Sequence, residues 1–439
     1  RNTVVGSLAL DANTTANDNT GVGYASLTAN TTGISNTGLG SFALATNTTA
    51  SNNTAIGFQS LLLNTTGGSN TAVGKNALVN NTTASNNTAI GQDALNANTT
   101  GANNLAVGAN ALDANTTGES NTAVGKDALG LNTTANDNTA VGRSALGGNT
   151  TGTANTGIGR KALEQNTTAS NNTALGYFAL QQNTTGDNNT ATGSEALEKN
   201  TTGSSNTAVG QQCLEENTTG SANTAMGATT LDDNTTGSSN TAFGYLALTS
   251  NTTASDNTAV GRSALALNTT GTQNVAMGVN ALSQATTADQ NTAVGHDCMQ
   301  ETTTGSDNTA VGSFAFHFNT TGSNNTSMGK DALLLNTTGT RNVAIGSLAL
   351  DANTTASANT TVGFKSMSSN TTGTNNVALG DEALFSNTTA DNNTAIGNDA
   401  LYANTTGTKN TAVGAFSLDA SSTGNNNVAV GDEALSSNT

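Results

Sequence analysis

The chain has 439 residues, only 9% of them charged, with a formal net charge of −17 and neither Pro nor Trp. That balance excludes a nucleic-acid binder, which needs basic residues to displace counterions and aromatic rings to stack on bases. No apolar run is long enough to cross a bilayer as a helix, so this segment is not expected to insert into a membrane.

The first element is Asn2-Thr3-Val4-Val5-Gly6, and it returns every 17 residues. Its Asn recurs at all 26 steps from Asn2 to Asn427, and its Gly at all 26 from Gly6 to Gly431. No insertion breaks the register. Self-similarity at a short fixed period marks a solenoid, in which each coil buries its apolar face against its neighbours. The expected fold is therefore all-β, a parallel β-solenoid or β-roll, with residues 1–439 as one continuous array of about 26 coils. The chain starts at Arg1 without Met and stops within a repeat, so it reads as a piece of a longer polypeptide. A secretion signal, anchor or tip domain is expected outside it.

We number each coil from the Asn of its Asn-Thr-Thr turn. Positions 1 to 17 then read Asn-Thr-Thr-(Gly/Ala)-x-x-Asn-Thr-Ala-Val-Gly-x-x-Ala-Leu-x-x. Positions 7 to 10 form a short strand. Alternation sends positions 9 and 10 to opposite faces, and both are apolar, which predicts burial on both sides. Position 11 refuses every residue but Gly, as at Gly23, Gly108, Gly210, Gly227, Gly312 and Gly431. A corner with positive φ or a close backbone approach explains that. Positions 12 and 13 vary freely and should be exposed or half-exposed. The small residue and Leu at 14 and 15 suggest a second short strand. Positions 16 to 6 read as an outer turn.

The Asn at position 7 recurs at Asn19, Asn104, Asn206, Asn223, Asn308 and Asn427. Stacked about 4.8 Å apart, such carboxamides are expected to bond one another in a structural ladder. The Asn-Thr-Thr turn is also an N-glycosylation sequon, for example at Asn13, Asn115, Asn217 and Asn404. An Asn-led turn explains the same residues without a sugar. Cys213 and Cys298 both take the small position 14, five coils apart. That spacing puts them roughly 24 Å apart, so they read as buried free thiols.

No catalytic constellation is legible. His296 and His317 occupy different positions, no Cys/His spacing suits zinc, and no carboxylate pair recurs. The segment is expected to be no enzyme and to need no metal or cofactor. Calcium between coils lacks its Gly-Gly-x-Gly-x-Asp repeat.

Asn-Thr-Ala-Val-Gly-x-x-Ala, as at Asn121, Val124, Gly125 and Ala128, resembles the head repeat of YadA-like trimeric autotransporter adhesins. It is also similar to repeat arrays of phage tail-fibre and secreted fibre proteins. The resemblance covers the whole chain. It implies a left-handed roll, three chains side by side, and an extracellular fibre on a cell surface or virion. The adhesin repeat is nearer 14 residues, whereas this one has 17. Val-Gly-x-x-Ala-Leu fits one hexapeptide of a single-chain left-handed β-helix as well, but that fold needs three per coil.

Each coil has only two large apolar side chains, at positions 10 and 15. A homotrimer, or other fibre self-assembly, would bury more. The expected arrangement puts position 9 near the three-fold axis and position 10 inside the coil. The expected function is a structural fibre or stalk segment. The alternative is a repetitive surface that binds polysaccharide (surface glycans), a host surface or ice.

Overall fold

The computed structural model describes residues 1–437 and shows an all-β parallel solenoid, with no helix among them. It falls into two compact units, Arg1–Ala222 and Asn223–Thr439. In the first, β1 (Thr3–Val5) to β13 (Thr207–Val209) pair in chain order, each parallel to the next. In the second, β14 (Thr224–Met226) to β26 (Val428–Val430) do the same. The register places like on like. Between β8 (Thr122–Val124) and β9 (Thr139–Val141), Thr122 faces Thr139, Ala123 faces Ala140 and Val124 faces Val141.

Each strand has three residues, and both ends have a local cause. Before the strand, the N–H of the position 7 Asn donates to the carboxamide oxygen of the preceding coil's Asn, as Asn121 does to Asn104 at 2.9 Å. The backbone ladder therefore starts one residue later. After the strand, Gly at position 11 takes φ between +127° and +148°, which ends the extended run. At Gly108 an added Cβ would lie 2.5 Å from the carbonyl oxygen of Gly125. Strain and close approach together explain why Ala never appears there.

The expected second strand at positions 14 and 15 is absent. Positions 6, 13 and 15 are left-handed in coil after coil, as at Asn103 (φ 62°), Asn110 (φ 54°) and Leu112 (φ 53°). Two left-handed residues on either side of position 14 prevent an extended run. The backbone still bonds across coils, since Leu112 N–H donates to Ala128 at 2.9 Å and Asn110 N–H donates to Gln92 at 3.0 Å. Donors thus alternate between the coil ahead and the coil behind. A Pro would break one of these bonds at most positions, which accounts for its absence.

A left-handed conformation costs an L-residue roughly 1–2 kcal/mol. At position 15 the Leu side chain fills the coil interior, and its burial offsets the cost with about 1.5–3 kcal/mol. Position 13 is mostly half-exposed and has no such offset. It often holds Asn, Asp or Ser (Asn76, Asp93, Asp127, Ser144), and Asn and Asp tolerate this region best. Thr229, at φ 49°, is the one β-branched residue there. Thr229→Asn should raise the unfolding free energy by about 0.5–1 kcal/mol. Gly108→Ala should lower it by at least ~2 kcal/mol. Urea titration followed by circular dichroism checks both, and a Thr229→Asn midpoint at or below that of the parent would contradict the left-handed assignment.

Candidate functional site

The coil interior decides what the outside can do. It is built from position 9 Ala, position 14 Ala, position 15 Leu and the two Asn columns, nearly all at 0% exposure. Ala208 is one of these. Position 9 therefore faces into its own coil, and position 10 faces out beside position 8. This reverses the expected orientation. The reason is width. At Gly157, an added Cβ would already touch Leu146 Cγ at 3.3 Å and the Ala162 oxygen at 3.2 Å. The position 15 side chain leaves room for little more than a methyl group at position 9, where Ser327 and Thr361 are the largest buried residues. Ala208→Leu would overpack the coil itself, and Val209 does not fill its inside.

The two Asn columns divide their work differently from expectation. At position 7 the carboxamide mainly serves the backbone. Asn19 donates from Nδ2 to the Gly33 carbonyl at 2.9 Å, and its Oδ1 accepts from the Asn36 N–H. Asn104, Asn206, Asn223 and Asn308 donate in the same way to Gly118, Gly220, Gly237 and Gly322. Amide-to-amide contacts occur here at some coils only, as from Asn427 Nδ2 to Asn410 Oδ1 at 3.1 Å.

The amide-to-amide ladder runs at position 1, in the sequon. Asn115 Nδ2 donates to Asn98 Oδ1 at 2.9 Å and to the Gly118 carbonyl at 3.0 Å. Asn217 and Asn404 repeat both bonds. All three are fully buried. Asn13, in the first coil, is half-buried and donates to Ala16. An N-glycan would replace an Nδ2 hydrogen that the coil uses and would stand in its interior. The turn Asn is thus a packing residue in the folded coil.

The glycine corners, Gly23, Gly108, Gly210, Gly227, Gly312 and Gly431, have φ of 131°, 138°, 144°, 135°, 143° and 127°. Cys213 and Cys298 are both buried free thiols. Burial pushes the Cys298 thiol up to about 12. Among the described residues, no group of three His, Cys, Asp or Glu is placed to hold a metal ion. No helix among them is long and apolar enough to cross a membrane.

Two outer faces differ sharply. The strand face, positions 8 and 10, carries Thr, aliphatic residues and one ring, Phe243, and no charge at all. Leu39, Ile90 and Leu175 on it are 44%, 41% and 46% exposed. The arc of positions 12, 13, 16 and 17 carries every aromatic residue except Phe243 and Phe316. It also carries every Lys and Arg except Arg1, Arg341 and Lys409. Rings meet edge to face along it, as Tyr24 and Phe42 at 5.3 Å and Phe42 and Phe58 at 6.5 Å. His296 and His317 lie there too, each in edge contact with Phe314. Acidic columns form as well. Burial, then the charges of Glu215 and Glu195, holds the Glu198 carboxyl above its usual range.

No family model and no curated protein matches the chain.

The interior ladder makes a strong prediction. Asn115→Asp removes the donor that faces Asn98 and buries a charge, which should cost about 3–5 kcal/mol at neutral pH. Protonation restores an O–H donor, so stability should return as pH falls through the raised pKa of that Asp. Equilibrium unfolding between pH 4 and 8 reads this out. In parallel, folded chain from a glycosylating host should keep the bare mass of 43.3 kDa. Sugar on a turn Asn of natively folded protein would contradict the ladder.

Proposed function

We propose that this segment is a non-enzymatic structural fibre or stalk region of an extracellular, adhesin-like surface protein or tail fibre. Like chains associate side by side through their strand faces, most simply as a parallel homotrimer. The observation that carries this reading is the uncharged outer face of positions 8 and 10. It presents one aliphatic side chain per coil in almost every copy, with Thr192 and the aromatic Phe243 the exceptions. A single chain leaves many of them in water, including Ile56, Ile158, Met226, Met277, Met328 and Ile396. Contiguous exposed apolar surface of this kind marks an interface. A second copy of the same chain suits it for a geometric reason. Its columns have the same period, so parallel copies stay matched from coil to coil within each unit.

The interface is not the one expected from the sequence. The small residues of position 9 serve the inside of the coil, and the larger aliphatic residues meet the neighbouring chain. A second reading, a repetitive surface for polysaccharide or another host surface, draws on the concentration of rings and charges along the opposite arc.

The association has a direct test. Leu39→Lys, Ile90→Lys and Leu175→Lys together place three charges on the face without touching the coil interior. Sedimentation velocity should show a trimer for the parent chain and a monomer for the triple variant, with the same circular dichroism. A parent that sediments as a folded monomer at tens of micromolar would refute the association.

A further inference from the structure

In the second unit the arc forms a cleft of about 280 Å³ between Glu382, Asp399, Tyr402, Phe416 and Asp419. Its composition is unlike the rest of the array. Tyr402 is held flat on Phe385, with centroids 5.2 Å apart and planes at 6°. Phe416 is 42% exposed. Three carboxylates stand around these rings, and only one has a cation nearby, Glu382 at 3.8 Å from Lys365 Nζ. Beyond Lys365 the arc holds no Lys or Arg, since Lys409 lies at position 6. Asp419 Oδ1 is buried without a hydrogen-bond partner. A buried, unpaired carboxylate oxygen is costly unless something answers it.

Elsewhere on the arc the chain supplies its own answer. Arg160 lies over the rings of Tyr177 at 5.6 Å and Phe178 at 5.9 Å, and Lys365 lies over Phe364 at 5.1 Å. Ring faces in this array are therefore places where cations rest, by attraction to the ring quadrupole. The cleft has the rings and the negative charge, but no cation of its own. The larger groove of about 760 Å³ in the first unit is different. Its Lys161 and Glu164 pair at 3.1 Å, and no ring lines it.

We propose that this cleft binds an alkylated ammonium group, a quaternary or methylated amine. The rings favour a bulky, weakly hydrated cation. A compact metal ion wants six or more oxygens at short range, and no group of three His, Cys, Asp or Glu is placed to hold one among the described residues. A neutral sugar could donate hydroxyls to Asp399 and Asp419 but would leave their negative charge uncompensated. The electrostatics agree. Burial, followed by the charges of Asp381 and Asp419, raises the Asp399 carboxyl above its usual range, a strain that a bound cation relieves. Such a group reaches a protein as a choline headgroup or as a methylated lysine, and the two differ in what is attached to the nitrogen.

The test titrates the full chain with three probes, read by calorimetry. These are choline, N-acetyl-trimethyl-lysine amide, and 3,3-dimethylbutanol, the uncharged isostere of choline. One or both cations should bind with Kd of about 1 mM or tighter, and the tighter one identifies the source. The neutral isostere should bind at least ten-fold more weakly. Asp419→Asn should weaken binding at least five-fold, and it should fold, because Asn96 holds the same position of its own coil. Phe416→Asn should do likewise, since Asn already occupies that left-handed position at Asn110 and Asn280. The proposal is overturned if neither cation binds in this range, if the isostere binds as well as choline, or if both variants bind as the parent does. None of these outcomes bears on chain association, so the stalk reading stands or falls separately.

Discussion

A buried carboxamide, with every polar atom engaged in most coils, fastens each coil to the next. At Asn115 the two Nδ2 hydrogens go to Asn98 and Gly118, and its Oδ1 accepts from Asn132. At Asn121 one amide hydrogen reaches the Ala135 carbonyl while Oδ1 takes the N–H of Asn138. Backbone and side chain thus share one network. A network of this kind is stabilising only when complete, because an unpaired member in a dry interior costs about 1–3 kcal/mol. Completeness requires the same residue at the same height in the next coil. That requirement fixes the period. Where Thr302 breaks the column, Asn319 turns its amide to the Thr302 hydroxyl, whereas Asn268 Oδ1, next to Ala285, and Asn404 Oδ1, next to Ser421, are left without a partner.

The constraint also explains the thin apolar core. Two Asn columns take up interior space that a larger solenoid would fill with aliphatic residues. What remains is one Leu and a few methyl groups per coil. The chain must turn tightly around so small a core, and it does so with left-handed residues at positions 6, 13 and 15 and a strained Gly at 11. Backbone strain is accepted repeatedly because each left-handed Leu delivers a side chain into the interior. The strand residues opposite stay small, Ala in most coils and no larger than Thr361 where buried, so the aliphatic residue at position 10 has only the outside to face.

Much of this was written plainly in the sequence. Period, register and glycine corner each rest on one residue type under one constraint, so one chain displays them. The orientation of the strand was harder. Alternation says that Ala208 and Val209 face opposite ways, but it does not say which way is in. Only the reach of the position 15 side chain across the coil decides that. The left-handed positions were missed because Leu has no preference for that region. A signal did exist. Val and Ile are common at position 10 yet never occur at 6, 13 or 15, and β-branched residues are the ones least able to take positive φ. The sequon misled for a related reason: Asn in a turn looks exposed, and here its side chain points inward.

The division of the outer surface follows from the same geometry. A column that must match itself cannot carry charge, since like charges would stack coil upon coil. The strand face, with its register locked by the ladder, is accordingly neutral. The arc escapes that rule because its side chains are longer and can lean past one another. Lys199, for instance, pairs with Glu215 and Glu216 of the next coil. Variation can therefore accumulate on the arc without disturbing the coil, and unlike residues can gather there into local sites. A scaffold that is uniform on one side and free on the other lets one side build length while the other acquires contacts, and the cleft around Tyr402 and Asp419 is where that freedom has gathered rings and three carboxylates, of which only Glu382 has a cation beside it among the described residues.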